Sequence, residues 1–127
     1  MKDPFSFIKG AMIISFFSLF LVAGCQKEDS GGCYMSDPFT ELPWLGQIKD
    51  TLVNCSCALS VFEGTYHSRS VFFILMNDPQ CSWVFGTTLY NCDGNAVKSY
   101  YGSNDYENFH DEVRIDTMLY TCKSNVD

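Results

Sequence analysis

The chain has 127 residues and a formal net charge of −7, from 15 acidic and 8 basic residues. Because proteins bind nucleic acid mainly through lysine and arginine contacts with phosphates, this charge argues against a nucleic-acid partner, and we expect none. The same charge is repelled by an anionic lipid surface, so membrane attachment would need an anchor other than a basic patch.

The first 24 residues have the organisation of a secretory signal peptide. Lys2 and Lys9 precede an apolar run over residues 11–22, and small residues close the segment in the sequence Ala23-Gly24-Cys25. The apolar run is shorter than the roughly 20 residues that a membrane-spanning helix needs, which argues against an uncleaved transmembrane anchor. We therefore predict that residues 1–24 are a signal peptide that is removed.

The sequence Leu21-Val22-Ala23-Gly24-Cys25 also resembles the lipobox of bacterial lipoproteins. The resemblance implies that Cys25 carries an acyl group such as palmitate, becomes the first mature residue and anchors the protein to the outer membrane. The mature chain would then face the periplasm or the cell surface. By its length the mature chain holds one domain. We assign residues 25–36 to a polar, lipidated tether and residues 37–123 to a single α+β domain.

Six cysteines remain once the lipidation candidate is set aside. An even number of cysteines in a short exported chain predicts a disulfide framework, because the compartment outside the cytoplasm is oxidising. Spacing alone leaves the connectivity open. The disulfide candidates are Cys33, Cys55, Cys57, Cys81, Cys92 and Cys122.

The first predicted element is an amphipathic helix from Glu41 to Val53. Thr40 can cap its N-terminus, and Pro43 is tolerated in a first turn. The apolar positions repeat at helical spacing and form one stripe, which predicts that this helix packs on the rest of the domain. The stripe consists of Trp44, Leu45, Ile48 and Leu52.

Strand patterns follow the helix. The six apolar residues Val71–Met76 predict a central strand covered on both faces. His67-Ser68-Arg69 is a predicted turn, and Asp93-Gly94 predicts a hairpin between two further strands. Residues 105–113 are compatible with a short helix or an acidic loop. The other predicted strands are Ala58–Tyr66 with a bulge at Gly64, Trp83–Tyr90, Ala96–Tyr101 and Ile115–Cys122.

These elements predict an α+β fold in which one N-terminal helix packs on an antiparallel meander of about five strands, stapled by disulfides. Strict alternation of strand direction places Cys57 and Cys81 at one end of the sheet and Cys92 and Cys122 at the other. The layout therefore favours those two pairs and leaves Cys33 to pair with Cys55.

Four groups of side chains could carry chemistry, and each has a simpler structural interpretation. Cys55-Ser56-Cys57 follows a helix C-terminus, which disfavours the thiolate of a redox pair, so we interpret it as two adjacent bridges. The cysteines and histidines lack zinc-finger spacing, and Asn91, Asp93 and Asn95 lack the glycine and glutamate of a calcium loop. We predict no metal, no cofactor and no catalytic residue.

The acidic stretch from Asp105 to Glu112 contains His110 and supplies the enzyme alternative. That alternative requires His110 and nearby carboxylates to converge in a pocket, since catalysis by proton transfer needs correctly placed groups. We interpret the stretch as a solvated face instead and expect the protein not to be an enzyme.

Aromatic side chains are the remaining candidates for ligand contact. Five tyrosines fall at strand ends and loops, where we predict that they are exposed and available to a protein or carbohydrate partner. They are Tyr66, Tyr90, Tyr100, Tyr101 and Tyr106.

Four short motifs resemble segments of a family of small Gram-negative lipoproteins with a cysteine-containing α+β domain. The resemblance implies the fold and the location and carries no activity. The motifs are Leu42-Pro43-Trp44-Leu45, Val71-Phe72-Phe73, Leu89-Tyr90-Asn91-Cys92-Asp93-Gly94-Asn95 and Leu119-Tyr120-Thr121-Cys122.

Our leading functional hypothesis is a non-enzymatic binding or accessory module on the envelope or cell surface. The alternative is an inhibitor of a secreted protease or other hydrolase, since a helix on an antiparallel meander resembles the cystatin and β-lactamase-inhibitor layouts. An inhibitor would present a protruding apolar or aromatic hairpin. A sugar binder would present a flat row of tyrosine and tryptophan.

Overall fold

A computed structural model describes residues 32–123, so the predicted signal peptide, Cys25 and much of the predicted tether lie outside the described residues. The five strands form one antiparallel sheet in the order β4-β3-β2-β1-β5. The elements in chain order are α1 (Pro38–Glu41), α2 (Pro43–Thr51), β1 (Leu59–Tyr66), β2 (Arg69–Met76), β3 (Gly86–Tyr90), β4 (Ala96–Tyr101), α3 (Ser103–Glu112) and β5 (Val113–Cys122).

The predicted α+β class and the five antiparallel strands are confirmed, but the single N-terminal helix is wrong. Residues 103–112 form the helix α3 rather than an acidic loop, because Phe109 anchors that segment in the core with no exposed surface. The predicted N-terminal helix is also divided in two. Leu42 is extended, with φ −112° and ψ 95°, because the proline that follows excludes it from the helical region.

Asp37, rather than Thr40, caps the first helix. Its side chain accepts a hydrogen bond from the Phe39 amide at 3.2 Å. α2 then starts afresh at Pro43, whose fixed φ suits a first helical position.

The fifth strand departs from the predicted meander. β1 to β4 pair in sequence order, and α3 then carries the chain across the sheet to the far side of β1. β5 is antiparallel to β1, with Val113 opposite Tyr66 and Cys122 opposite Leu59, so β5 runs in the same direction as β4. A helical crossover, rather than a hairpin, is what allows this arrangement.

An irregularity in the pairing of β1 with β5 lies next to Gly64, where the sequence predicts a bulge. The unpaired residues, however, are Asp116 and Leu119 on β5. Gly64 serves a different purpose, because a Cβ at that position would meet the carbonyl oxygen of Arg114 and the ring of Phe73.

Both faces of the central strand are covered, as predicted for the apolar run in β2. On the face that packs against α2, Phe72 and Val61 contact Leu45, and all three are fully buried. On the face that packs against α3, Phe73 contacts Phe109, with ring centroids 5.3 Å apart. We call these the α2 face and the α3 face.

Three disulfide bonds join the six candidate cysteines, which confirms the framework and the pair Cys57–Cys81. The other two predicted pairs are wrong. The crossover places Cys122 opposite Leu59, at the other end of the sheet from Cys92. The observed bonds are Cys33–Cys92 and Cys55–Cys122, with Cα–Cα separations of 5.8 and 6.0 Å.

The two ends of the sheet differ in what they carry. The end at the close of β3, which we call the Cys92 end, holds the Cys33–Cys92 bond and two turns, both predicted. His67 and Ser68 have positive φ, as a two-residue turn requires, and Gly94 has φ 82° in the second hairpin. The opposite end, which we call the Tyr101 end, holds the start of α3 and the other two disulfides.

Candidate functional site

The Tyr101 end carries four exposed large side chains on two adjacent segments, which the hydrogen bond from the Gly102 amide to the Phe85 carbonyl oxygen joins at 2.8 Å. Trp83, Val84, Tyr101 and Tyr106 are 39, 62, 75 and 49% exposed. We call this group the aromatic surface. Clustered exposed apolar side chains of this size are typical of sites where a soluble protein binds a partner.

The loop between β2 and β3 places Trp83 at this surface. Asp78 fixes the loop, since its carboxylate accepts hydrogen bonds from the backbone amides of Ala58 and Gln80, each at 3.0 Å. Both bonds lower the pKa of Asp78, and the bond from Ala58 has the larger effect. The Cys57–Cys81 disulfide ties the loop to the start of β1.

The pattern from Trp83 to Tyr90 predicts that Trp83 lies inside a strand, and Trp83 is not among the predicted site residues. β3 instead begins at Gly86, so Trp83 stays in the loop. The signal that could have identified it is the pair Asp78-Pro79, which ends β2, followed by Cys81. Together they predict a loop that continues past the cysteine.

One groove beside the aromatic surface lies on the α2 face and has a volume of about 320 Å³. Its lining includes Ile74, Met76, Trp83, Val84 and Tyr90. Its far wall, Tyr90, is in turn packed against Trp44 of α2, with ring centroids 5.9 Å apart. The groove therefore begins where the cover provided by α2 ends.

A second groove, of about 620 Å³, lies between residues 83–85 and α3. Phe85 is 9% exposed, and its ring contacts Trp83 at 5.8 Å and Tyr106 at 5.2 Å between centroids. Ser103 and Glu107 complete the polar part of the lining. We call it the α3 groove. Trp83 and Val84 line both grooves and so form a ridge between them.

The start of α3 fixes Tyr101 and Tyr106 relative to each other. The backbone amide of Tyr101 donates a hydrogen bond to the Asp105 carboxylate at 2.8 Å. Tyr101 also lies over Gly86, where an added Cβ would sit 3.3 Å from its ring. The absence of a side chain at Gly86 lets the Tyr101 ring lie close to the sheet.

The five predicted tyrosines are divided among three environments. Tyr101 and Tyr106 belong to the aromatic surface, and Tyr90 lines the groove on the α2 face. Tyr66 is half-buried against the core of the α3 face. The predicted exposure of Tyr100 is wrong, because it is 2% exposed.

Tyr100 faces inward because alternate residues of a strand point to opposite faces. Its hydroxyl donates a hydrogen bond to Glu112 at 2.6 Å, and burial, reinforced by that bond, raises its pKa. Glu112 also accepts a hydrogen bond from Lys98 at 2.7 Å. Both bonds lower the pKa of Glu112, and the bond from Lys98 has the larger effect.

The acidic stretch that supplies the enzyme alternative brings His110 to one open cavity together with Asp111 and Glu112. His110 is exposed and, with His67 and Asp111, lines an open cavity of about 490 Å³ near the turn between β1 and β2. Its ring packs edge-on against Tyr106, with centroids 4.5 Å apart. Glu112, which also lines this cavity, is engaged with Lys98 and Tyr100.

Two groups of possible metal ligands, one brought together by the fold and one considered from the sequence, have structural explanations. Cys57, Asp78 and Cys81 lie together, but the two sulfur atoms are joined in a disulfide and are therefore not thiolate ligands. In the second hairpin, the Asn91 side-chain oxygen accepts hydrogen bonds from the amides of Asp93 at 3.0 Å and Asn95 at 2.9 Å. That oxygen stabilises the turn.

Comparisons of the chain with known protein families, with curated proteins and with solved structures return no match. Among residues 32–123, no helix is both long and apolar enough to cross a membrane. The site is therefore interpreted from its own geometry.

Proposed function

We propose that this protein is a lipid-anchored, non-enzymatic binding module of the bacterial outer envelope whose aromatic surface contacts a partner protein. The observation that carries the proposal is the exposure of Trp83, Val84, Tyr101 and Tyr106 at one end of a disulfide-linked domain. Tryptophan and tyrosine are enriched among the residues that dominate the energy of protein interfaces. The anchor rests on the resemblance of residues 21–25 to a lipobox.

The Cys33–Cys92 disulfide supports an outward orientation of the aromatic surface. It ties the N-terminal segment to the Cys92 end of the sheet, and the aromatic surface lies at the opposite end. Cys33 follows the predicted lipid anchor at Cys25 by eight positions, a reach of at most ~28 Å. An anchor at Cys25 would thus hold the Cys92 end near the membrane.

A protein partner fits this surface better than a sugar. Trp83 and Val84 form a ridge with a groove on each side, whereas a sugar binder would present a flat aromatic row. The two tight hairpin turns, His67-Ser68 and Asn91–Asn95, present polar side chains, so an inhibitor, the alternative function, would have to use the longer loop between β2 and β3 that carries Trp83 and Val84.

Metabolic labelling with a palmitate analogue tests the anchor. We expect the wild-type protein to incorporate the label and to fractionate with the outer membrane, whereas Cys25→Ser should lose both properties. A wild-type protein that is unlabelled and still carries residues 1–24 would contradict the proposal.

Site-specific photo-crosslinking in living cells tests the partner surface. A photoreactive amino acid at position 84 or 101 should give the same discrete protein adduct, and Trp83→Ala should weaken it. The matched control is position 117, an exposed residue of the edge strand β5, which should not give that adduct. An identical adduct from position 117, or none from 84 and 101, would argue against the surface.

A further inference from the structure

The α3 groove combines aromatic walls with one carboxylate, and this combination has a specific chemical preference. We propose that the groove recognises a basic side chain, lysine or arginine, of the partner protein. The inference rests on the proposed function and adds to it the chemistry of what enters the groove.

Three aromatic rings form walls of the groove. Trp83, Phe85 and Tyr106 line one cavity, and their rings are inclined to one another. The Phe85 ring is tilted by 48° to Trp83 and stands at 89° to Tyr106. Inclined rings around a cavity present faces to its contents from more than one direction. A ring face carries negative potential and attracts a cation within about 6 Å of its centroid, most strongly for tryptophan.

The only charged side chain that lines the groove, among the described residues, is a carboxylate. Glu107 is the one ionisable acid among the residues that line it, and no lysine, arginine or histidine of the described chain is among them. The neighbouring Asp105 carboxylate is engaged with the Tyr101 amide, and His110 packs against Tyr106 outside the lining. A cation would therefore meet an uncompensated carboxylate, on a chain whose formal net charge is −7.

The size of the groove and its surroundings favour a side chain of a protein over a small free cation. A volume of about 620 Å³ exceeds what an ammonium group alone would fill, and the apolar Val84 borders it. A lysine or arginine brings an apolar stem to pack on such surface while its charged head reaches the carboxylate. Trp83 and Val84, which also line the groove on the α2 face, offer contact to neighbouring residues of the same partner.

Two lysines of the described residues already make contacts of this chemistry. The Lys49 ammonium lies 4.7 Å from the centroid of the Phe39 ring, and that of Lys98 lies 4.9 Å from the Tyr100 ring. Lys98 also donates to a carboxylate, that of Glu112. A lysine between an aromatic ring and a carboxylate is therefore an arrangement that this fold already contains.

The test uses the mature lipidated protein in a polyoxyethylene detergent, with the indole N–H signals of the two tryptophans followed by NMR. The probes are the N-acetyl methylamides of lysine, arginine and norleucine, the last being an uncharged side chain of similar stem length. Trp83 reports on the groove. Trp44 is the internal control, because its indole N–H is bonded to the Cys92 carbonyl oxygen at 3.0 Å.

We expect the lysine and arginine probes to shift the Trp83 signal and to bind roughly threefold to tenfold more tightly than norleucine, the range that a partly exposed cation–π contact and an exposed carboxylate supply together. Glu107→Gln should lower that ratio about twofold, because it removes the carboxylate and leaves the aromatic rings in place. The matched variant Asp111→Asn removes the same charge from the same helix outside the groove and should leave the ratio unchanged.

Three results would overturn the inference. Equal binding of norleucine would identify an apolar pocket, no shift of Trp83 by any probe would exclude a side-chain site, and equal effects of the two variants would indicate general charge attraction. If crosslinking from positions 84 and 101 persists in any of these cases, the proposed function stands and this inference alone fails. Loss of crosslinking as well would remove both.

Discussion

The two tryptophans lie at opposite ends of the molecule and have opposite roles. Trp44 packs edge-on against Phe72 at 5.8 Å between ring centroids, and its indole N–H donates to the Cys92 carbonyl oxygen. Gly94 makes room for it, since a Cβ there would lie 2.9 Å from the indole ring. Trp83, in contrast, is 39% exposed beside two open grooves. The same residue type packs in the core in one region and is exposed at the surface in the other.

The dimensions of a helix and a sheet explain why one tryptophan is covered and the other is not. An α-helix is about 10–12 Å wide with its side chains, whereas five strands spaced by ~4.8 Å extend over roughly 19 Å between edge strands. The single helix α2 covers the part of its face around β1 and β2 and reaches β3 through Trp44. The rest of that face, towards Trp83, is left open as a groove.

The largest expected effect concerns the disulfides that hold the Tyr101 end. Removing the Cys55–Cys122 bond, which spans 67 residues, by double substitution with alanine should lower the free energy of unfolding by about 4 kcal/mol. Removing Cys57–Cys81, which spans 24 residues, should cost about 3 kcal/mol, because a shorter loop loses less entropy when it is closed. Denaturant unfolding measures both, and the reverse order would contradict this explanation.

The tryptophans themselves test the comparison directly. Trp44→Ala should lower the free energy of unfolding by about 3 kcal/mol, since it removes core packing and leaves the Cys92 carbonyl oxygen without its donor. Trp83→Ala should cost less than about 1 kcal/mol and should instead weaken the crosslink from position 101. Urea unfolding followed by circular dichroism supplies the values. Equal losses for the two variants would remove the distinction between the regions.

Two adjacent tyrosines provide a finer test within one strand. Tyr100→Phe should cost about 1 kcal/mol, because it removes a buried hydroxyl that donates to Glu112. Tyr101→Phe should leave the free energy of unfolding nearly unchanged, since its side chain is 75% exposed. Both substitutions remove a single oxygen atom, so each is the control for the other. A larger loss from Tyr101→Phe would mean that the assignment of the two faces is wrong.

The smallest expected effect is on the dependence of stability on pH. The pKa of Glu112 is lowered in the folded state, so its carboxylate contributes stability above its unfolded pKa of about 4.3, and this is lost as the pH falls through the folded value. Glu112→Gln should therefore flatten the decline in urea midpoint as the pH falls below about 4.3.

Lys98→Met should have a similar effect on that decline, because the hydrogen bond from Lys98 is the largest cause of the shift. An acid-dependent decline as steep as that of the wild type in both variants would show that the ion pair does not contribute.

Local signals in the sequence predict much of the fold. The bounds of β4, the central strand at Val71–Met76 and the hairpin at Asp93-Gly94 depend on residues that are close in the sequence, and all three are confirmed. The break at Leu42 is local too, but it depends on the effect of a proline on the residue before it rather than on hydrophobic period.

The errors arise where the fold depends on contacts between residues distant in the sequence. The crossover through α3 sets the position of β5, and no short motif encodes which edge of the sheet a strand joins. Two of the three predicted disulfides fail for that reason, since Cys122 follows β5 to the opposite end from Cys92. Among the tyrosines predicted to be exposed, Tyr101 and Tyr106 are exposed and Tyr100 is buried, while Trp83 is not among the predicted contact residues.

The Cys33–Cys92 bond also determines how the domain would carry mechanical load. If the N-terminus is tethered and a partner pulls at Trp83, the shortest covalent path crosses from Cys33 to Cys92 and continues back along β3 to residue 83. Tension then passes along one five-residue strand, while α1, α2 and β1 lie outside that path. Covalent bonds would carry such a force, so the partner could dissociate from the aromatic surface before the helices unfold.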